Sequence, residues 1–335
     1  MKITRRTAMQ AAVGGLTVAA SAELGITPSQ AENLKKVTVR LAFTYNGHRS
    51  PYLLGVDKGF YKQEGLDVDV LEGRGMTSSM QLVASQQDTF AIVDPPSLML
   101  GVAQGMPIKT VAQVYQISPN ALISWQEYGI NQPADLKGKK VATLQGDMTT
   151  TMLYALLAKN GVPASDVRII ASDGGTRNQT FLAKRTEAIT GFPNDSYLSL
   201  SATAGGGLKY FTYASFGIDT MGDSIVAHAS TIEKSPEVVR AFVKASLRAY
   251  DYALRNPEEA IASLKMRAPN INVGVEVEKL KATAALLRAE GDKDGIVGLS
   301  VESRWKATQA LMKEFGGLTT GITDVTTYYT NDFIK

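Results

Sequence analysis

Six short loops hold most of the residues in this sequence that could do chemistry: TYNGHR at 44–49, GRGMTSS at 73–79, DPPS at 94–97, QGDMTT at 145–150, SDGGT at 172–176 and GFPND at 191–195. Their hydroxyls, amides and carboxylates suit hydrogen bonding to a small polar molecule, and their glycines let backbone N–H groups approach one closely. The candidate ligand-binding residues are Tyr45, Asn46, His48, Arg74, Thr77, Ser78, Asp94, Asp147, Thr149, Phe192, Asn194 and Asp195. Arg74 would pair with an anionic group. Asp94 or Asp195 would accept from the ring amino or hydroxyl groups of a heteroaromatic. Capping a following helix is the competing role for each Ser, Thr and Asp in these loops.

Catalytic and metal chemistry find less support. His48 and His228 are the only histidines and stand too far apart for a ligand motif. Ser224 precedes His228 in GDSIVAH without a nucleophile-elbow pattern. Asp94 and Asp195 could form an acid–base pair. His228, in an expected strand, reads as structural, and His48 as a hydrogen-bonding group. The GGG at 205–207 lacks phosphate-loop spacing and reads as a flexible turn. Tyr45, Tyr52, Trp125, Phe192, Tyr197 and Tyr213 could sandwich a flat ligand, although most of them also suit a core. The chain has no cysteine, which excludes disulfides, thiolate metal sites, a cysteine nucleophile and a lipoprotein anchor.

The elements that must position these loops follow from periodicity. Val37, Val39, Leu41 and Phe43 alternate as a strand; a helix follows over Pro51–Tyr61, closed by Gly65, and then a strand over Asp67–Leu71. TSSMQLVASQQ, DTFAIVD, PPSLMLGVAQG and IKTVAQVYQI continue as helix, strand, helix and strand. A second α/β series runs from a strand at Lys140–Leu144 and a helix at Thr149–Asn160 to a helix in DSYLSLSAT. SIVAHAS is the last clear strand, after which helices start at Pro236 and Pro257 and span Val275–Glu290 and Val301–Phe315. The reading is two α/β lobes, each an open sheet flanked by helices. The chain returns to the first lobe at 223–229, giving hinge crossings near 118–126 and 222–229. In open α/β sheets ligands bind beyond the carboxyl ends of the strands, which is where the six loops lie.

The chain has 335 residues, 44% hydrophobic and 20% charged, enough for two cores. Residues 1–31 read as an export leader, with Arg5–Arg6 in a twin-arginine-like setting and cleavage after Ala22 or Ala31. They hold Lys2, Arg5, Arg6 and Glu23, so of the 35 basic and 32 acidic residues the remainder keeps 32 and 31, and the net charge falls from +3 to +1. A near-neutral exported chain gives no sign of a nucleic-acid partner.

LGVDKGFYKQEGLDVDVLEGRG, QLVASQQDTFAIVD, DLKGKKVATLQG, TEAITGFPND and the long stretch from Phe216 to Ile261 resemble solute-binding proteins of ABC importers. The branch is that of nitrate, taurine and alkanesulfonate, and thiamine-pyrimidine-precursor binders. The resemblance implies the two-lobed periplasmic binding fold of type II, with 36–120 plus 224–335 as lobe I and 121–223 as lobe II. It also implies closure over one small solute, delivery to an inner-membrane permease and its ATPase, a monomer in the periplasm, no cofactor and no catalysis. TYNGHRSPYLLG, TGFPND and YASFGIDTMGDS lean toward the pyrimidine-precursor subgroup, through Asn46, His48, Phe192, Asn194 and Asp195. Phe192–Pro193 departs from the aromatic pair common there. Fungal relatives that build the pyrimidine depend on a cysteine-rich motif, which this chain lacks. Two further ligand or function classes stand beside this one: an organic sulfonate, nitrate or aromatic carboxylate, or an exported enzyme acting on a small aromatic substrate.

Overall fold

The computed structural model describes residues 34–288 and 295–334. The leader expected over 1–31 lies outside the described residues. The first series comprises β1 (Lys35–Arg40), α1 (Ser50–Asp57), α2 (Phe60–Gln63), β2 (Leu66–Leu71), α3 (Met76–Ala84), β3 (Phe90–Val93), α4 (Pro95–Ala103) and β4 (Ile108–Gln113). The second comprises β5 (Ala121–Trp125), β6 (Lys140–Leu144), α5 (Met148–Lys159), β7 (Arg168–Ser172), α6 (Gly174–Leu182), β8 (Ala188–Gly191), α7 (Leu198–Ala204) and β9 (Leu208–Thr212). The chain then forms β10 (Ser224–His228), α8 (Ala229–Lys234), α9 (Pro236–Arg255), α10 (Pro257–Arg267), α11 (Val273–Thr283) and α12 (Glu302–Glu314).

Two five-stranded mixed sheets result, ordered β2-β1-β3-β10-β4 and β7-β6-β8-β5-β9. In each, one antiparallel strand lies between two others: β10 between β3 and β4, and β5 between β8 and β9. The chain therefore passes from one sheet to the other twice, after β4 and after β9. These crossings are bonded to each other: the Asp223 carbonyl accepts from the Val114 and Tyr115 amides, Gly222 N–H donates to the Tyr115 carbonyl, and Ser118 N–H to that of Thr220.

Local chemistry explains most elements. Leu66, Val68 and Val70 are buried in β2 while Asp67 and Asp69 face water, the period-two pattern of a half-covered strand. In α9, Val238, Val239, Phe242, Val243, Ala249, Tyr250 and Ala253 form one buried stripe against the first sheet, whose core also takes α10 and α11. The expected helix over Pro51–Tyr61 is instead two, because Gly59 at φ +68° breaks the ladder between α1 and α2. The segment DSYLSLSAT opens with a π-helical turn, Pro193–Tyr197, before α7. No strand was expected over β5 or β9. Four of the five β5 residues are buried, so it lacks alternation, and β9 is an edge strand behind three successive left-handed glycines, Gly205–Gly207.

Candidate functional site

Three contiguous cavities lie where loops of the two sheets face each other. The inner one, about 120 Å³, is bounded by Phe43, Thr44, Asn46 and Arg49 from the first sheet's side and by Leu144, Asp147, Thr149, Arg177, Gly191, Phe192, Asp195 and Ser196 from the second's. A crevice of about 10 Å³ adjoins it through Arg49 and Phe192, reaching His48, Asp94, Asn194 and the crossing residues Ser118, Asn120 and Asp223. A wider chamber of about 530 Å³ shares Phe43, Leu144 and Asp147 with the inner cavity and is faced by Arg74, Thr77, Ser78 and Gln145. Eleven of the twelve candidate residues face one of these spaces. Tyr45 does not: its hydroxyl donates to the Val70 carbonyl (2.7 Å) and its amide to Glu72 Oε1 (2.7 Å), which ties the loop to the end of β2.

The positions follow from the fold. Asn46, Asp94, Asp147 and Phe192 lie just beyond the carboxyl ends of β1, β3, β6 and β8, where a strand gives way to the next helix or turn. Gly75, at φ +117°, makes the backbone turn that starts α3 and sets Arg74 and Thr77 at the chamber wall.

Two buried guanidinium groups that sequence reading passed over dominate the electrostatics. Arg49 and Asp223, 3% and 6% exposed, form a buried ion pair with Nε–Oδ2 3.2 Å, Nη2–Oδ2 3.0 Å and a longer Nη2–Oδ1 contact of 3.4 Å. Burial opposes the Arg49 charge, and Asp223 more than restores it. Arg177, 7% exposed, donates from Nη1 to the Thr190 carbonyl (3.0 Å) and from Nε and Nη2 to Asn178 Oδ1 (3.2 and 3.1 Å). Burial lowers its pKa, and the carboxylates of Asp147 and Asp195 offset that only in part. Arg49 stood in plain view in TYNGHR. Arg177 is in the first turn of α6, and no local signal marks it.

Burial, then the charge of Arg49, drives the His48 pKa down to about 3, so its imidazole is neutral at ordinary pH. Among the described residues its Nδ1 has no hydrogen-bond partner, nor have the buried Oδ1 atoms of Asn46 and Asn194. Thr149 Oγ1 donates to Asp147 Oδ2. Asp195 pairs with Lys279 at 2.9 Å. Burial alone would raise its pKa, and the positive charges around it, Lys279 and Arg49 among them, reverse the shift. Of the six candidate aromatics only Phe192 faces the cavities, where Phe43 joins it. Tyr52 and Tyr213 are core, Trp125 stacks on Phe181 and Tyr197 meets Tyr210 edge-on. His228 accepts from the Ser230 amide and caps α8. Among the described residues no three of His, Asp and Glu converge to hold a metal ion.

Asp94 accepts from the Ser97 amide at 2.7 Å as the cap of α4, and burial pushes its pKa up to about 7 from an ordinary 3.8. A raised folded-state pKa means the carboxyl favours folding fully only below pH 3.8, and that advantage is lost as pH rises through about 7. Asp94→Asn keeps an amide oxygen for the cap and removes the charge. The variant's melting temperature relative to the parent should therefore rise between pH 4 and pH 8, by the equivalent of about 1–3 kcal/mol after solvent screening. Melts across that range check this, and a pH-independent difference would refute it.

Comparisons with known proteins agree with this architecture. A family model described as NMT1/THI5 like matches residues 46–260. The chain is 26% identical over 281 residues to the formylaminopyrimidine-binding protein of Halalkalibacterium halodurans, covering 83% of this chain and 84% of that protein. It is 26% identical over 332 residues to the riboflavin-binding protein RibY of Chloroflexus aurantiacus, covering 95% and 91%. A 22% match, over 70% of this chain and 75% of the other, reaches a Legionella pneumophila protein named 4-amino-5-hydroxymethyl-2-methylpyrimidine phosphate synthase. Among solved structures, the alkanesulfonate-binding protein SsuA from Xanthomonas axonopodis pv. citri bound to MOPS superposes with a TM-score of 0.68 at 16% identity, over 90% of this chain and all of that one. The likeness shows the two-sheet periplasmic binding fold.

Proposed function

The chain belongs to the NMT1/THI5-like family, and from that premise we propose that it is the solute-binding component of an ABC importer, taking an uncharged, N–H-bearing heteroaromatic of the aminopyrimidine class. The first sheet with α8–α12 acts as one lobe and the second sheet as the other, and they close on the solute about the two crossings. The make-up of the inner cavity supports this reading. Phe43 and Phe192 offer ring faces, Asn46 Oδ1 and the nearby Asn194 Oδ1 are buried acceptors without a partner among the described residues, and Asp147 and Asp195 add carboxylates that Thr149 and Lys279 engage only in part. The cation Arg49 is already paired with Asp223, and Arg177 lies in the field of Asp147 and Asp195. A sulfonate or nitrate brings only acceptors and a charge, so it would leave those oxygens unmatched.

Export through the leader expected at 1–31 would place the protein outside the inner membrane, where it would meet its permease. Among the described residues no helix is long and apolar enough to cross a membrane. Binding without turnover fits the two relatives named as binding proteins. The relative named as a synthase makes product analysis a useful companion measurement.

Calorimetry and thermal shift with 4-amino-5-hydroxymethyl-2-methylpyrimidine, an alkanesulfonate and nitrate test the assignment. Saturation at a hundred times the dissociation constant should add about 2.7 kcal/mol of stability with the aminopyrimidine alone. Stabilisation by the sulfonate or nitrate but not the pyrimidine would reverse the ligand class, and conversion of the pyrimidine would make the protein an enzyme.

A further inference from the structure

Helix α11 lies beyond the residues matched by the family, in the C-terminal third, yet it packs against both halves of the cleft. It touches the Gly47–Arg49 turn behind β1, and the Pro193–Tyr197 turn and α7 of the second sheet. Glu276, Lys279 and Thr283 stand at i, i+3 and i+7, on one face of the helix. Each is spoken for. Glu276 Oε2 accepts from the Gly47 amide at 2.5 Å, and its Oε1 accepts from Lys279 Nζ at 2.7 Å. Lys279 Nζ also reaches Asp195 Oδ1 at 2.9 Å, and Thr283 Oγ1 accepts from Asn194 Nδ2 at 3.4 Å. Gly47 fits closely here, since a Cβ would stand 2.1 Å from the Glu276 carbonyl oxygen.

We propose that α11 is a clasp: Glu276 fixes it to the first lobe's cleft loop, while Lys279 and Thr283 grip the Pro193–Tyr197 turn of the second lobe, so that the cleft is held closed before any solute arrives. The clasp rests on the two-lobe reading given above, but not on which solute binds. The Lys279 side chain is 6% exposed and that of Asp195 27%, so water and salt screen this pair far less than a surface bridge. Asp195 also faces the inner cavity. Lys279 is thus a positioning residue, since it sets the carboxylate that a bound N–H group would meet. A preclosed cleft spares the solute part of the work of closing it, because apparent affinity scales with the fraction of molecules already competent to bind.

Small-angle scattering of the solute-free protein is the deciding experiment. Lys279→Met should give a larger radius of gyration than the parent, Asp195→Asn should do the same from the other side of the pair, and Lys279→Arg should restore the compact form. Melting curves show that each variant remains folded; should Lys279→Met fail to fold, Asp195→Asn carries the test. Scattering identical to the parent for the folded variants would overturn the clasp, whatever the solute proves to be. In titrations with 4-amino-5-hydroxymethyl-2-methylpyrimidine, Lys279→Met should weaken binding about tenfold or more, with recovery in Lys279→Arg. An opened cleft with no pyrimidine binding in any variant would retain the clasp and reject only the ligand class.

Discussion

Arg49→Met should lose about 3–5 kcal/mol of stability, the cost of breaking a buried ion pair from one side. Asp223 would then be left at 6% exposure without its guanidinium partner. Against a total stability of about 5–15 kcal/mol that is a large fraction, and the melting point should fall by roughly 10 °C. Replacing both partners, as Arg49→Met with Asp223→Leu, should recover most of the loss, because two apolar side chains need no solvation to be made good. Thermal and urea melts of the two singles and the double measure the coupling. A double variant no more stable than Arg49→Met would show that the residues act separately. Position gives the pair its further importance. Arg49 ends the loop that carries Asn46 and His48, and the Asp223 backbone carbonyl receives both the Val114 and Tyr115 amides at the other crossing. The bridge thus fastens the loop of Asn46 and His48 to the bonded crossings, and on the proposed function solute affinity should fall with stability in the single variant.

This pair also marks how far the sequence could be read. The strand β2 was legible because its Asp67 and Asp69 alternate with buried residues, and α9 because its apolar stripe runs for five turns. Loops at strand ends were legible through composition, since glycine, hydroxyl and amide side chains crowd there. Roles within the loops were not. Asp94 and Asp195 look alike in sequence, each lying shortly after a short apolar strand, yet one caps α4 and the other meets Lys279 on a helix from the far end of the chain. Nothing in the local sequence marked Arg49 and Arg177 as buried, because burial of a cation depends on which distant groups the fold brings near. Strand β5 escaped notice because a strand covered on both faces has no alternation, and its five residues are too few to outweigh that. Local pattern sets elements, whereas side-chain partners come from tertiary pairing that no window of sequence contains.

The sign of one substitution should separate the two ligand classes. Asp147 and Arg177 face the same inner cavity, and Arg177 feels the Asp147 charge without forming an ion pair among the described residues. Arg177→Gln should weaken any solute, because an oxyanion loses its counter-charge and a ring loses a donor. Asp147→Asn acts differently. It retains an oxygen for the Thr149 hydroxyl, which now donates to Asp147 Oδ2, and so leaves the start of α5 in place. For an N–H-bearing heteroaromatic the change turns a charged acceptor into a neutral one, and a hydrogen bond to a charged group contributes about 1.5–3 kcal/mol, so affinity should fall by about 10–150-fold. For a sulfonate or nitrate the same change removes a repulsion. Two like charges about 6 Å apart at an effective dielectric near 20 repel by about 3 kcal/mol before screening, so affinity should rise severalfold or more. Calorimetric titration of the parent, Asp147→Asn and Arg177→Gln with both ligand classes reads the sign directly. If Asp147→Asn tightens binding of the solute that the parent prefers, the cavity is built for an anion and the aminopyrimidine assignment is wrong.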